Sequence, residues 1–132
     1  MKNLILFFTI TFFFLSCGHK HDDSPLVLDN GQKWTIISSM DVYLQEMEDL
    51  VTNFKGENLE DHQELAKELK DNIGLLTSNC TMKGQAHDEL HKWLLPYIEL
   101  VDNYSKADSK QAAARHFAKV KSSFEAYNKY FK

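Results

Sequence analysis

The sequence has no excess of positive charge, no glycine-rich phosphate loop and no apolar run long enough to cross a membrane. Lysine and arginine number 15 against 19 aspartate and glutamate residues, which gives a formal net charge of -4. This mildly acidic balance provides no field that would attract polyanions, so nucleic acid is not an expected partner. Internal repeats and alternating strand and helix patterns are also missing, which argues against solenoid and α/β folds.

The longest apolar run covers residues 4–15, directly after Met1, Lys2 and Asn3. As a helix this run would reach only about 18 Å, whereas the hydrocarbon core of a bilayer is about 30 Å thick. A short basic start followed by an apolar stretch of this length is typical of a signal peptide. We therefore assign residues 1–16 to a signal peptide and set them aside from the fold.

The apolar run ends in Leu15-Ser16-Cys17-Gly18, which resembles a lipobox, the cleavage site of bacterial lipoproteins. Leu15 stands directly before the small residue rather than two places before it, so an ordinary secretory leader with a soluble product is the alternative. The resemblance implies a lipid on Cys17, which would bury many methylenes at about 0.8 kcal/mol each. On this prediction the membrane is a partner through the lipid anchor. The protein would then be held at the outer membrane of the cell envelope, facing the periplasm or the cell surface.

Cleavage before Cys17 would leave a mature chain long enough for one domain with a real core. Residues 17–38 begin with a polar stretch that we expect to be a flexible tether. Residues 26–28 and 33–37 then read as two short extended runs around an Asn30-Gly31 turn. A lone hairpin is marginally stable. We therefore expect this one to lie on the helical bundle predicted for the rest of the chain, or to remain irregular.

From Ser39 onward, apolar residues recur at three- and four-residue steps, which is typical of amphipathic helices. The first helix is expected to end with Gly56 as its C-terminal cap, and the second to begin after the N-cap Asn58. Residues 77–84 hold Ser, Asn, Thr and Gly and read as a connection. The expected inner faces are Met40, Tyr43, Leu44, Met47, Leu50, Val51 and Phe54 in the first helix, and Leu59, His62, Leu65, Ala66, Leu69, Ile73 and Leu76 in the second.

The third helix should cover residues 85–104, with a kink or a missing backbone bond before Pro96. The fourth should start after Ser105 or Asp108. Short links make neighbouring helices antiparallel, so residues 39–132 are predicted to form an all-α, up-down-up-down four-helix bundle. The expected inner faces are His87, Leu90, Leu94, Tyr97, Ile98 and Val101 in the third helix, and Ala113, Phe117, Val120, Phe124, Tyr127 and Phe131 in the fourth.

The segment with the most distinct chemistry contains Cys80, Met82, His87 and His91. Histidines four residues apart project from adjacent turns of one helical face and can chelate a single ion. A lipid on Cys17 would leave Cys80 without a disulfide partner, as a free thiol just before this helix. Two imidazoles with a thiolate and a thioether favour copper, above all copper(I), whereas zinc would be satisfied by the thiolate, the imidazoles and water.

Other interpretations of these residues involve no ligand. Cys80 can be a small core residue, Met82 and Met40 can fill gaps in the core, and the two histidines can pair with neighbouring carboxylates or backbone. The protein would then be a structural lipoprotein, or one that binds an envelope protein partner. A third alternative is a noncovalently bound haem held by a histidine with Met40 or Met47, since four-helix bundles often hold haem in this way.

A second histidine site is conceivable at the other end of the bundle, where His62 and His116 lie on inner faces. Only two ligands are evident there, so hydrogen-bonded core histidines are the favoured interpretation. Catalysis is not expected. Residues 87–91 read His-Asp-Glu-Leu-His, whereas the metalloprotease motif needs its glutamate directly after the first histidine. A Cys80 nucleophile would also need an orienting group and an oxyanion site, which the spacing does not indicate.

Residues 80–101 include Cys-Thr-Met-Lys-Gly, His-Asp-Glu-Leu-His and Trp-Leu-Leu-Pro. With these elements the chain resembles small uncharacterised bacterial lipoproteins that carry helical-bundle domains. The resemblance covers most of the mature chain and implies the class of protein and its fold. It implies no activity, so the metal hypothesis depends on the cysteine, the methionine and the two histidines alone.

Overall fold

The computed structural model describes residues 24–132. The predicted signal peptide, the lipidation site Cys17 and the first part of the tether lie outside the described residues. They stay predictions.

Four helices make up the described fold: α1 (Ser38–Asn53), α2 (Leu59–Ser78), α3 (Gln85–Ser105) and α4 (Lys110–Tyr130). Each helix packs against the next, α4 packs back against α1, and α2 also contacts α4 across the bundle. The predicted all-α four-helix bundle is confirmed. Within residues 24–132, no helix combines the length and the apolar character needed to cross a membrane.

Because successive helices are antiparallel, the bundle has two ends with different contents. The proximal end holds residues 24–37, the α2–α3 connection and Lys132 at the chain end. The distal end holds the α1–α2 and α3–α4 connections.

The first helix ends earlier than its sequence pattern predicted. It stops at Asn53, and the C-cap Phe54 takes an extended conformation with φ -61° and ψ 127°. Gly56 is therefore not the cap, and that prediction was wrong. A Cβ at Gly56 would collide with the ring of Phe54 and lie 2.6 Å from Cβ of Asp61, so the glycine is needed for close packing of the α1–α2 connection.

The second helix begins as predicted, after the N-cap Asn58. Its side chain accepts a hydrogen bond from Asp61 N, and the Asp61 carboxylate accepts one from Asn58 N, which completes a capping box. The helix runs on through Ser78, so the connection covers only residues 79–84. Thr77 fits inside the last turn because its hydroxyl donates to the carbonyl of Ile73 at 2.9 Å.

The other two helices start at residues suited to helix entry. Gly84 precedes α3 with φ 74°, a conformation that favours glycine. Pro96 lies inside α3, which continues through it to Ser105. Ser109 caps α4 by accepting from Ala112 N at 3.3 Å, so the fourth helix begins one residue after the later of the two predicted starts.

The core is one continuous set of buried apolar side chains from all four helices. Every residue expected on the inner face of α2 is buried, except Leu59, which is half-buried. An aromatic cluster of α3 and α4 fills the proximal half. The centroid of each ring lies within 6.1 Å of the centroid of a neighbouring ring. The cluster comprises Trp93, Tyr97, Phe124, Tyr127 and Phe131.

The segment before α1 contains the predicted turn but no extended hairpin. Asn30 and Gly31 both have positive φ, and Asp29 and Gln32 exchange two backbone hydrogen bonds of 2.9 and 2.8 Å around them. The residues after this turn form no hairpin and pair with residues 130–132 instead. Trp34 N donates to Tyr130 O at 2.7 Å, and Lys132 N donates to Trp34 O at 2.9 Å. These bonds hold both ends of the described chain against the proximal end of the bundle.

Candidate functional site

Two histidines near the start of α3 lie close together. The ring centroids of His87 and His91 are 4.1 Å apart, with their planes inclined by 50°. Both side chains are half-buried. The four-residue spacing on a helix produces this geometry, and it confirms that the two imidazoles share one face.

The surroundings of His91 favour its uncharged ring. Partial burial lowers the pKa of His91 below its ordinary value of 6.5, and the neighbouring His87 lowers it further. The Asp88 carboxylate acts in the opposite direction on His91. Asp88 Oδ1 also lies 3.8 Å from His87 Nδ1. A neutral imidazole can offer a ring nitrogen to a metal ion, and a carboxylate beside a liganding histidine typically orients it.

Cys80 and Met82 lie in the α2–α3 connection. Cys80 is a free, half-buried thiol that packs against the core, and Met82 is buried within it. Across residues 24–132, no three His, Cys, Asp or Glu side chains come together as a group able to hold a metal ion. The structure therefore brings together His87 and His91, and it does not bring Cys80 to them as a third ligand.

Sequence reasoning missed a partly buried ion pair beside these histidines. Glu89 Oε1 lies 2.7 Å from Lys92 Nζ, with the two side chains 4% and 14% exposed. The other carboxylate oxygen, Oε2, accepts a hydrogen bond of 3.1 Å from Val27 N. Val27 O in turn accepts from Nε1 of Trp34 at 2.7 Å. These bonds fasten the segment before α1 to α3 beside the histidine pair.

His62 lies near the distal end and is a core histidine. Its Nδ1 is 2.6 Å from the hydroxyl of Tyr104, so one of the two atoms donates to the other. The imidazole ring also packs against Phe54 and Phe117, with centroids 4.9 and 5.9 Å away. A hydrogen bond and aromatic neighbours account for its burial, which agrees with the favoured interpretation of the sequence.

The burial of His62 makes stability depend on pH. Desolvation lowers its pKa below 6.5, and nearby Lys110 adds to this, while Asp61 partly offsets it. The unfolded chain therefore binds the proton more readily, and stability falls as the pH drops through about 6.5 toward the lower folded pKa. We expect the melting temperature to decrease between about pH 7.5 and pH 5, and this slope to be smaller in His62→Gln. An unchanged slope in the variant would mean that His62 is not the titrating group; His91, shifted in the same direction, would contribute in both proteins.

Comparison of the chain with protein-family profiles, curated proteins and solved structures found no match. The resemblance of residues 80–101 to bacterial lipoproteins stays a prediction from the sequence.

Proposed function

We propose that the protein is a lipid-anchored lipoprotein of the cell envelope that binds a soft transition metal ion, copper or zinc, at the proximal end of its bundle. The observation that carries the proposal is the His87–His91 pair, with ring centroids 4.1 Å apart on one face of α3. Imidazole is a good ligand for both metals, and an i, i+4 pair can hold one ion between two adjacent helical turns.

The two imidazoles supply a bidentate site, and further donors would complete it. Cys80 is the leading candidate, because it is a free thiol in the connection that leads directly into α3. Met82 is the second candidate, although its thioether is buried in the core. A thiolate or thioether donor would shift the preference of the site toward copper(I), whereas water in those positions would suit zinc. Recruiting the Cys80 thiol requires rearrangement of residues 79–84, a connection rather than a helix.

The described residues closest in sequence to the proposed anchor are fastened beside the proposed site. Val27 is fastened to Glu89, which lies between His87 and His91 in sequence. The chain from Cys17 to Val27 can reach at most about 35 Å. With a lipid on Cys17, the histidine pair would therefore lie near the membrane surface, where a metal ion could pass to or from a membrane-bound partner.

A competition titration of the full chain, purified in mild detergent, tests the metal proposal. We expect near-stoichiometric binding of copper(I) under anaerobic conditions, measured against a chromogenic chelator. His87→Ala and His91→Ala should each weaken binding at least about tenfold, because each removes one of two chelating rings. Cys80→Ser should weaken binding to a similar extent if the thiolate is the third ligand. A parallel zinc titration decides which metal is preferred.

His116→Ala is the matched control, because it removes a half-buried histidine from another helix. It should bind copper as the unaltered chain does. If the unaltered chain binds no metal, or if the control loses as much affinity as His91→Ala, the metal proposal is wrong. The alternative is then a structural or protein-binding lipoprotein without a ligand. The haem alternative predicts a Soret band on purification, although its candidate ligands Met40 and Met47 are at most 1% exposed in the core.

A further inference from the structure

The surface between α1 and α2 forms an open groove with an apolar floor and acidic walls. Its volume is about 860 Å³. Leu50 and Leu65 contribute to the floor, and Val42 stands at its edge with 54% of its surface exposed. An apolar strip inside a polar rim is a common feature of surfaces that bind a partner. The groove is thus a candidate docking surface, and its charges indicate what kind of partner would fit.

The walls of the groove carry carboxylates from both helices. Glu46 and Asp49 line it from α1, and Glu64 and Glu68 line it from α2. Among the ion pairs of residues 24–132, none involves these four side chains. Lys55 is the cation among the lining residues, so negative charge predominates. An occupant with positive charge would be attracted, and one with negative charge would be repelled.

The outward face of α4 has the complementary character. Arg115, Lys119 and Lys129 are exposed, with the small exposed residues Ala118 and Ser122 along the same face. In the described part of the chain, none of these three cations takes part in an ion pair. Small side chains let the backbone of one helix approach a groove closely, while the flanking cations can reach carboxylates on both walls.

We propose that the acidic groove between α1 and α2 binds the basic outward face of α4 from a second copy of this chain. The two surfaces differ and lie on different helices, so the contact is heterologous and copies add head to tail. Anchoring to one membrane would raise the local concentration of copies and favour such a contact. The proposal is independent of the metal site, because none of its residues belongs to the histidine pair.

Zero-length cross-linking of mixed isotopic forms tests the proposal. Full chains with natural and with heavy nitrogen are purified in mild detergent, mixed and treated with a carbodiimide, which joins a carboxylate to a lysine amine. We expect cross-linked peptides that join one light and one heavy copy, linking Glu46 or Glu64 to Lys119 or Lys129. Their yield should fall at least about fivefold between about 0.1 M and about 1 M salt, where the Debye length decreases from about 10 Å to about 3 Å.

Charge reversal supplies the decisive comparison. A groove variant with Glu46→Lys and Glu64→Lys should lose the mixed cross-links between α4 and the groove, and so should a face variant with Arg115→Glu and Lys119→Glu. Mixing the groove variant with the face variant should restore them. The intact groove of the face variant can bind the intact α4 face of the groove variant, and the two reversed surfaces are again opposite in charge. A control with Glu99→Lys and Asp108→Lys changes the net charge equally, outside the groove, and should leave the yield unchanged.

Three results would overturn the proposal. One is the absence of mixed cross-links in the unaltered chain. Another is a loss of yield in the control as large as in the groove variant, which would show a dependence on net charge alone. The last is a failure of the mixed groove and face variants to restore the link. Restoration would show that neither variant had lost the link by folding poorly.

Discussion

Trp93→Ala is expected to destabilise the bundle by about 3 to 5 kcal/mol, the range for removing a large aromatic side chain from a core. Trp93 is 4% exposed, stacks on Tyr97 with ring centroids 4.7 Å apart, and contacts Tyr127 at 4.8 Å. Its indole Nε1 donates to the carbonyl of Ser123 at 2.9 Å, which ties α3 to α4. The substitution removes all of these contacts together. Urea unfolding followed by circular dichroism measures the change.

A domain of this size is typically stable by only about 5 to 15 kcal/mol, so Trp93→Ala should leave a marginal fold. Leu95→Ala is the matched control, because Leu95 belongs to the same helix but is 39% exposed. It should cost less than about 1 kcal/mol. Equal losses for the two variants would contradict the placement of the indole in the core.

Glu89→Ala is the second substitution with a large expected effect, about 2 to 3 kcal/mol. It removes the carboxylate from its ion pair with the half-buried Lys92 and takes the acceptor away from Val27 N. Both bonds involve a charged group, and hydrogen bonds of this kind contribute more to stability than neutral ones. The same variant should speed hydrogen exchange at Val27 N, since the segment before α1 loses its bond to α3.

Glu89→Gln separates the two roles of this carboxylate. A glutamine can still accept from Val27 N but carries no charge, so we expect a loss of about 1 to 2 kcal/mol and slower exchange at Val27 N than in the alanine variant. Glu99→Ala, an exposed position on the same helix, should cost less than about 0.5 kcal/mol. If Glu89→Ala is as mild as this control, the ion pair does not stabilise the fold.

The four helices could be predicted because periodic apolar residues report directly on the buried face of a helix. The prediction failed where local structure depends on a neighbouring side chain. Gly56 resembles a cap in the sequence, yet its role is to leave room for the Phe54 ring. Thr77 resembles a loop residue, yet its hydroxyl bonds back to the preceding turn and α2 continues.

The candidate site was predictable only in part. Spacing alone brings His87 and His91 together, because both are on one helix. The position of Cys80 depends on the path of residues 79–84, which has no periodic signal. Glu89 is a charged residue, a type that is usually exposed, and it is buried because Lys92 and Val27 satisfy it. Trp93 carried a usable signal, since it follows Leu90 by three residues and precedes Tyr97 by four on the inner face.

Backbone pairing between distant parts of the chain could not be predicted from the sequence. Trp34 bonds to Tyr130 and Lys132, nearly the whole described chain away. The Asn30-Gly31 pair correctly indicated a turn, but a turn does not specify what the next residues pair with. The backbone of residues 34–36 forms hydrogen bonds with residues 130–132, because both segments lie at the proximal end of the antiparallel bundle.

X-ray absorption spectroscopy of the metal-loaded full chain tests the central claim most directly, because it reports the ligand atoms themselves. We expect two imidazole nitrogens at about 2.0 Å from one bound ion, both lost in a variant carrying His87→Ala and His91→Ala. If the thiol joins the site, we also expect a sulfur ligand that disappears in Cys80→Ser. A bound ion whose ligand shell contains no imidazole, or whose spectrum is unchanged in the double histidine variant, would contradict the claim.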